Sequence, residues 1–381
     1  MTRRLGLWGG LGAAGLFLIL AGGGLLSLPP TPAASPQPPI ARQEIDATLR
    51  ALAPPKRARP LIAIIGINDA TETNDYLTSY GILKRADVAD VVALATGPGP
   101  MRLYPALKLE PQATIADFDL RYPNGADYVV VPAMTRDDDP VALRWIQQQA
   151  RSGAIIIGVC AGAKVLGAAG LLDGKRATTH WYYLEALLQR SPSVRYVPNR
   201  RFVVDQGVAT TTGITASMPM MLTLIEAIAG TDRARRVAEG LGVSRWDARH
   251  DSRPFTFTRP FALTVIGNTL AFWNRDQWAM PLRDGVDEVS LALTLDAWSR
   301  TYRSTAITFA ASASVASRGG IRLLADQVRR DWPRSQRLPP PAQQPPAGVL
   351  DQTLREIRQR YGQGTARVVA MQLEYPWDAS P

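Results

Sequence analysis

The feature that most constrains this chain is Ala154-Ile155-Ile156-Ile157-Gly158-Val159, its most apolar β-type run, leading through Cys160-Ala161-Gly162-Ala163 straight into an apolar helical stretch, Lys164 to Ala169. A run that is apolar on both faces belongs in the middle of a sheet covered on both sides, which means a parallel sheet with helices as crossovers. The flanking sequence repeats the pattern. Leu61-Ile62-Ala63-Ile64-Ile65, Asp90 to Ala95 and Tyr128-Val129-Val130-Val131 read as strands, and Asp75 to Arg85 and Pro140 to Arg151 as helices. The spacing predicts an α/β fold with a doubly wound parallel sheet.

A residue on a tight strand-to-helix turn at the carboxyl edge of such a sheet sits where these folds place their ligands, and small neighbours permit the turn. Cys160 is therefore read as the nucleophile of an elbow. The N-terminus of the following helix is expected to lower its thiol pKa below the free value of about 8.5. The competing reading is a small buried hydrophobe. With one cysteine and two histidines among 381 residues, an intramolecular disulfide is excluded and a Cys/His zinc site lacks ligands. No metal or cofactor is expected.

The stretch from about residue 60 to 243 resembles the ThiJ/PfpI superfamily, whose flavodoxin-like fold is that of class I glutamine amidotransferases. Three pieces carry the resemblance: Gly158-Val159-Cys160-Ala161-Gly162, the segment Gly170 to Trp181, which sets His180 twenty residues after Cys160, and Asp205 to Ala216 with Thr210-Thr211-Thr212-Gly213-Ile214-Thr215-Ala216. The resemblance implies Cys160 as nucleophile, His180 as proton shuttle or orienter, and Asp75 as the acid that tunes the sulfur, with Glu72 one turn earlier as its substitute. A carboxyl there either donates to a thiolate or serves as a general acid/base; equally, Glu72 or Asp75 could only favour the helix N-terminus. Where the family has a Gly-Gly pair, this chain has Pro132-Ala133-Met134, so the amides of Met134 and Ala161 are the expected oxyanion donors. The aromatic run Trp181-Tyr182-Tyr183 either walls the pocket or belongs to the core. Glutamine hydrolysis is not expected, because His250 is followed by Asp251 and Ser252 rather than a His-x-Glu pattern, and His250 reads as a surface residue. The implied activities are hydration of isocyanides, conversion of reactive dicarbonyls, and peptide or amide hydrolysis, each opened by a thiolate attacking an electrophilic carbon. The alternative is a ligand-sensing domain like those of regulators in the same family. No helix-turn-helix is evident, so DNA binding is not expected despite a net charge of +10. The expected partner is a small molecule, and homo-oligomer formation is left open.

The ends of the chain read differently. After Arg3 and Arg4 comes an uncharged stretch from Leu5 to about Leu28, long enough to span a bilayer core of roughly 30 Å. With no charge until Arg42, the arginines predict an inside N-terminus and a folded domain on the periplasmic side. The expected segments are a membrane anchor or signal over 1–28, a Pro-rich tether over 29–58, the elbow domain over 59–243, and an extension over 244–381. From Pro29 to Pro39, six of eleven residues are proline, which suits an extended tether. Within the extension, an offset of 132 aligns Ile225, Gly230, Ala234, Arg235, Val237, Ala238 and Leu241 with Ile357, Gly362, Ala366, Arg367, Val369, Ala370 and Leu373. Asp284 to Ser290 also looks like the opening of another such domain, with Ser290 at the acid position and no counterpart of the elbow. The extension is thus expected to be a truncated, catalytically dead copy packed on the first, in the manner of a dimer partner.

Overall fold

A computed structural model describes residues 24–340 and 344–377. The expected strands form a seven-stranded sheet, in the order Phe202–Asp205, Val208–Thr211, Ile155–Gly158, Tyr128–Val131, Leu61–Gly66, Asp90–Ala95 and Ala113–Thr114. All neighbours run parallel except the edge hairpin Phe202–Asp205/Val208–Thr211. The central strands feed two cores from alternate residues. Leu61, Ala63, Ile65, Val129, Val131 and Ile156 pack with Phe118, Trp145 and Ile146 on one face. Ile62, Ile64, Tyr128, Val130 and Ile157 pack with Tyr76, Leu77 and Tyr80 on the other. Each fully buried large aliphatic side chain contributes roughly 1.5–3 kcal/mol, so this two-sided burial fixes the sheet.

Helix α1, Arg42–Ala51, precedes the sheet, and helix α2, Thr73–Ala86, covers one of its faces. Nearly every residue of α2 is buried, because its outer side is covered in turn by helix α3, Glu288–Ser299, which is itself buried almost throughout. A helix buried all round carries no polar face, which is why neither helix shows a clear amphipathic stripe.

The α/β expectation holds, and the boundaries move. The folded part begins before Arg59. Ile40 and Leu52 are buried in the main core, and Glu44 on α1 pairs with Arg200 at 2.7 Å. The Pro-rich stretch does not run free: the Pro29 carbonyl accepts the Arg259 N–H at 3.0 Å, and the Ser35 N–H donates to Asp251 at 2.6 Å. Prolines remove donors but not acceptors, so neighbouring groups can hold an extended chain. The expected membrane-spanning stretch lies almost wholly outside the described residues. Among those that are described, no helix is long and apolar enough to cross a membrane.

The C-terminal region forms its own parallel strands, Asp276–Pro281, Ser304–Ala310 and Gln327–Val328, with α3 between the first two. A hairpin, Ser314–Ala316 and Arg322–Leu324, pairs with the first domain through Lys108–Glu110. Two consecutive helices follow, α4, Pro346–Tyr361, and α5, Gln363–Gln372.

Candidate active site

The elbow is built as expected and is strained. Cys160 has φ +58°, the left-handed region that a side-chain-bearing residue enters at some cost. The turn is braced from both sides, since the Cys160 N–H donates to Thr211 Oγ1 at 2.9 Å and the Cys160 carbonyl accepts from Thr179 Oγ1 at 3.1 Å. Gly162 is required by close approach, because a Cβ there would lie 2.1 Å from the Val131 carbonyl oxygen.

Asp75, near the start of α2, meets this elbow. Its Oδ2 accepts the Ala133 N–H at 3.0 Å, while its carboxyl interacts with the Cys160 thiol. Its Oδ1 is buried without a conventional hydrogen-bond partner. Burial raises the Asp75 pKa to about 7, which places its proton in play at neutrality. Glu72 takes a different task. Its Oε2 caps α2 by accepting the Asp75 N–H at 2.6 Å, and its Oε1 pairs with Arg300 at 2.7 Å. Burial, together with Asp75 and Asp296, pushes the Glu72 pKa up.

The thiol behaves opposite to expectation. Burial raises the Cys160 pKa well above its ordinary value, and the charges of Asp75 and Glu72 add to the rise, against one favourable contact from the Ala161 N–H. The helix after the elbow, Gly162–Ala168, has only seven residues, so its dipole cannot outweigh two neighbouring carboxyls. These surroundings favour the protonated thiol over the thiolate.

His180 is turned away. Its Nε2 faces the Gln372 carbonyl at 3.0 Å and its Nδ1 accepts the Tyr182 N–H at 3.2 Å, so both ring nitrogens are engaged away from the sulfur. Burial lowers its pKa, and the neutral tautomer with a proton on Nε2 satisfies both contacts. Trp181 also turns to the C-terminal region, donating from Nε1 to the Met371 carbonyl at 2.8 Å and packing edge-on against Phe261. Met134 forms an isolated bridge with Thr71 and buries its side chain in the core. The neighbouring amide, Ala133, is the one that reaches the acid. Of the expected residues, Cys160, Asp75, Glu72 and Ala161 interact with one another, whereas the His180 nitrogens bond Gln372 and Tyr182, the Trp181 indole bonds Met371, and the Met134 side chain lies in the core.

His250 is buried rather than superficial. Its Nε2 pairs with Glu374 at 2.9 Å and its ring stacks on Phe255. Glu374 in turn accepts the Gly213 N–H at 2.6 Å, which pins the end of the chain against the late strand-to-helix turn. Arg300, near the cysteine, had no marking motif. Arg300 holds Glu72 and also Asp296, at 2.6 Å. Tyr183, from the aromatic run after His180, lies within electrostatic reach of Cys160, Arg300 and Tyr104. Among the described residues, no group of three or more His, Cys, Asp or Glu is arranged to hold a metal ion. A cavity of about 780 Å³ lies elsewhere, between α1, the strand Phe202–Asp205 and residues 244–248.

A parallel sheet with a cysteine on a strained elbow and a carboxyl against its sulfur defines a class of α/β proteins built around one thiol. Residues 62–227 match the model of the DJ-1/PfpI family, and this part of the chain is a DJ-1/PfpI domain with the flavodoxin-like α/β fold. It is 38% identical over 143 residues to an isonitrile hydratase of Pseudomonas putida, covering 36% of this chain and 59% of that protein. It is 36% identical over 112 residues to the HTH-type transcriptional regulator CdhR of Pseudomonas aeruginosa, covering 29% of this chain and 33% of the regulator. The chain thus spans less than two thirds of the length of these relatives. The crystal structure of Drosophila melanogaster DJ-1beta aligns with a TM-score of 0.44 at 21% identity, covering 49% of this chain and 100% of that one.

Proposed function

We propose that the domain is a cysteine-dependent hydratase in which Cys160 and Asp75 form a two-residue acid/base and nucleophile pair acting on a small neutral electrophile of the isonitrile type. The observation that carries this reading is the Asp75 carboxyl, set against the sulfur with a pKa near neutrality. A thiol that stays protonated at rest needs a base at the moment of attack, and an acid/base group works best with its pKa near the operating pH. In the proposed sequence, Asp75 takes the S–H proton as sulfur bonds to the terminal isonitrile carbon, and the carboxyl returns a proton to that carbon, giving a thioimidate. Water then adds across the C=N bond, its oxygen to the thioimidate carbon and one proton to nitrogen, leaving a hydroxyl whose proton is released as the carbonyl forms. The C–S bond breaks as a proton returns to sulfur, which releases a formamide and the free thiol. The Ala161 N–H, already directed at the sulfur, supports the thiolate as it forms.

The test is to incubate the full chain with small alkyl and aryl isonitriles and follow formamide by NMR. Turnover by the parent and its loss in Cys160→Ser is the expected outcome, and undiminished turnover in that variant defeats the reading. Binding of isonitriles without product in the parent would instead favour the ligand-sensing alternative, which the match to CdhR supports.

The membrane location is also proposed, on the apolar stretch ending near Leu28 and on what surrounds its exit. Arg259 holds the Leu28 carbonyl at 3.2 Å, and its own helix, Arg259–Leu270, exposes Leu263, Ile266 and Leu270, followed by Phe272 and Trp273. Exposed aliphatic side chains on a helix, with aromatic ones just past its end, suit an interface with lipid. Recovery of the full chain with the membrane fraction after an alkaline wash is expected, and its release by that wash would refute an anchor.

A further inference from the structure

The C-terminal region repeats the opening of the DJ-1/PfpI domain element by element. Adding 215 to residue numbers carries the strand Leu61–Gly66 onto Asp276–Pro281, and the first residue of α2, Thr73, onto the first residue of α3, Glu288. Both helices lead into the next strand through a left-handed residue, Asp87 at φ +48° and Tyr302 at φ +59°, again 215 apart. The pairing is repeated too. Thr71 pairs in parallel with Leu103, and Val286 with Ser317. Asp90–Ala95 takes the short parallel strand Ala113–Thr114, and Ser304–Ala310 takes Gln327–Val328. The closing helices match at an offset of 132, where Gly230 and Gly362 join their helix pairs at φ +83° and +87°.

Contacts between the two units are reciprocal. Arg300 pairs with Glu72, the cap of α2. Arg85 pairs with Asp287, the cap of α3. Adding 215 to 85 and 72 turns the second arginine and first acid into 300 and 287, so the two ion pairs are one contact seen twice. Asn74 bonds Asp296 at 2.5 Å, and their equivalents, Val289 and Gly81, also touch, since a Cβ on Gly81 would lie 2.6 Å from the Val289 side chain. In the shared sheet, Leu109 faces Leu323, its own equivalent at an offset of 214, with Lys108 opposite Leu324 and Glu110 opposite Arg322 on either side. A surface in which residue i meets j while j meets i is the mark of a two-fold interface between copies.

We infer that residues 276–373 are an internal half-copy standing where the second subunit of a symmetric dimer would stand, so that the chain is a monomer with one competent site, to which the half-copy contributes Arg300 as a positioning residue. The half-copy can make no second site. Ser290 stands at the Asp75 position, and only residues 329–345 separate its last strand from its closing helices, where the first unit carries the central strands and the elbow. The two arginines are therefore equal in packing and unequal in consequence. Arg85 faces a cap with no cysteine behind it, whereas Arg300 faces the acids that surround Cys160.

The groups bearing on the Asp75–Cys160 pair are Glu72, Asp296, Arg300 and Glu374, with the Ala133 and Ala161 amides. Removing Arg300 takes away the positive charge that lowers the Asp75 pKa, so the proton affinity of the pair must rise. The test uses the full chain and alkylation of Cys160, its only thiol, a readout that does not depend on the substrate reading. Native mass spectrometry of detergent-solubilised protein is expected to give one chain per particle, and a stable dimer overturns the inference. The alkylation profile of Arg300→Met is expected to move to higher pH, with labelling at pH 7.5 slowed about tenfold for every pH unit that the profile moves. Arg85→Met should leave the profile in place, and Arg300→Lys should restore most of it. Equal profiles for the two Met variants would make Arg300 a packing residue only and overturn its positioning role. Should Arg300→Met fail to fold, Asp296→Asn removes a charge that raises the Asp75 pKa and is expected to move the profile to lower pH; no movement then overturns the inference.

Discussion

Replacing Asp75 by Asn separates the two roles given to its carboxyl. The variant keeps an oxygen for the Ala133 N–H, which Oδ2 accepts at 3.0 Å, and keeps the volume of a side chain that is fully buried. It removes the negative charge that raises the Cys160 pKa. Two unit charges about 4 Å apart repel by ~4 kcal/mol at an effective dielectric near 20, which corresponds to about a thousandfold in the acid dissociation constant. Asp75 is only partly ionised near pH 7, so the thiol pKa is expected to fall, by less than that full repulsion would produce. Alkylation of Cys160 should therefore become faster at pH 7, while turnover of isonitriles falls by about 10²–10⁴, the usual worth of a positioned acid/base group. The assay pairs stopped alkylation with formamide release on the same protein. A thiol made more reactive and an enzyme made inactive by one substitution is the distinctive outcome. Slower alkylation, or turnover within a few-fold of the parent, would refute the assignment of Asp75 as the proton carrier.

The same carboxyl makes stability depend on pH. Its folded pKa of about 7 lies above the unfolded value of about 3.9, so between these values the folded state holds more protons and stability falls as pH rises. The thermal midpoint of the parent should drop from pH 5 to pH 8, and Asp75→Asn should flatten that drop; an unchanged slope would contradict the assignment. Gly162→Ala places a Cβ 2.1 Å from the Val131 carbonyl and should open the elbow, costing roughly 1–3 kcal/mol of stability and most of the turnover, both readable by calorimetry and formamide release.

The sheet and the elbow were legible because each rests on local pattern. Runs such as Ile155-Ile156-Ile157 are apolar on both faces whatever the rest of the chain does, and Cys160-Ala161-Gly162 has the small residues that a strained turn needs. The acid was legible from the resemblance, which puts Asp75 rather than Glu72 against the sulfur. The state of the thiol was not. Its direction depends on how two carboxyls and burial add up in space, and a helix start read from sequence says nothing of them. The engagement of the His180 ring was not legible for the same reason, since Gln372, which holds it, lies 192 residues further on. The half-copy was legible at its closing helices, where identities cluster, and in the stretch Asp284 to Ser290, but not in the pairing between the two units. Its opening keeps the geometry of the first unit with few shared residues, Asp69 and Asp284 or Arg85 and Arg300 among them, because buried helices need volume and not identity.

Charge balance around the cysteine sets what the site can accept. Glu72, Asp75 and Asp296 are buried carboxyls, and Arg300 is the guanidinium that pairs with two of them. Full ionisation would leave net negative charge in a place that solvent does not reach, so protons are retained, which agrees with the raised values of Glu72 and Asp75. Arg300 is committed to its acids and offers no free charge to a ligand. A substrate carboxylate would therefore enter next to an already negative cluster, where like charges at short range cost several kcal/mol at low effective dielectric. An uncharged isocyanoalkane should be hydrated at least about tenfold more efficiently, in kcat/KM, than isocyanoacetate of similar size, the factor that ~1.4 kcal/mol would produce. Arg300→Met should widen the gap, because it removes the cation that pairs with these carboxyls. A preference for isocyanoacetate would mean that Arg300 leaves its acids to bind substrate, and the cluster would then be an anion site rather than a proton store.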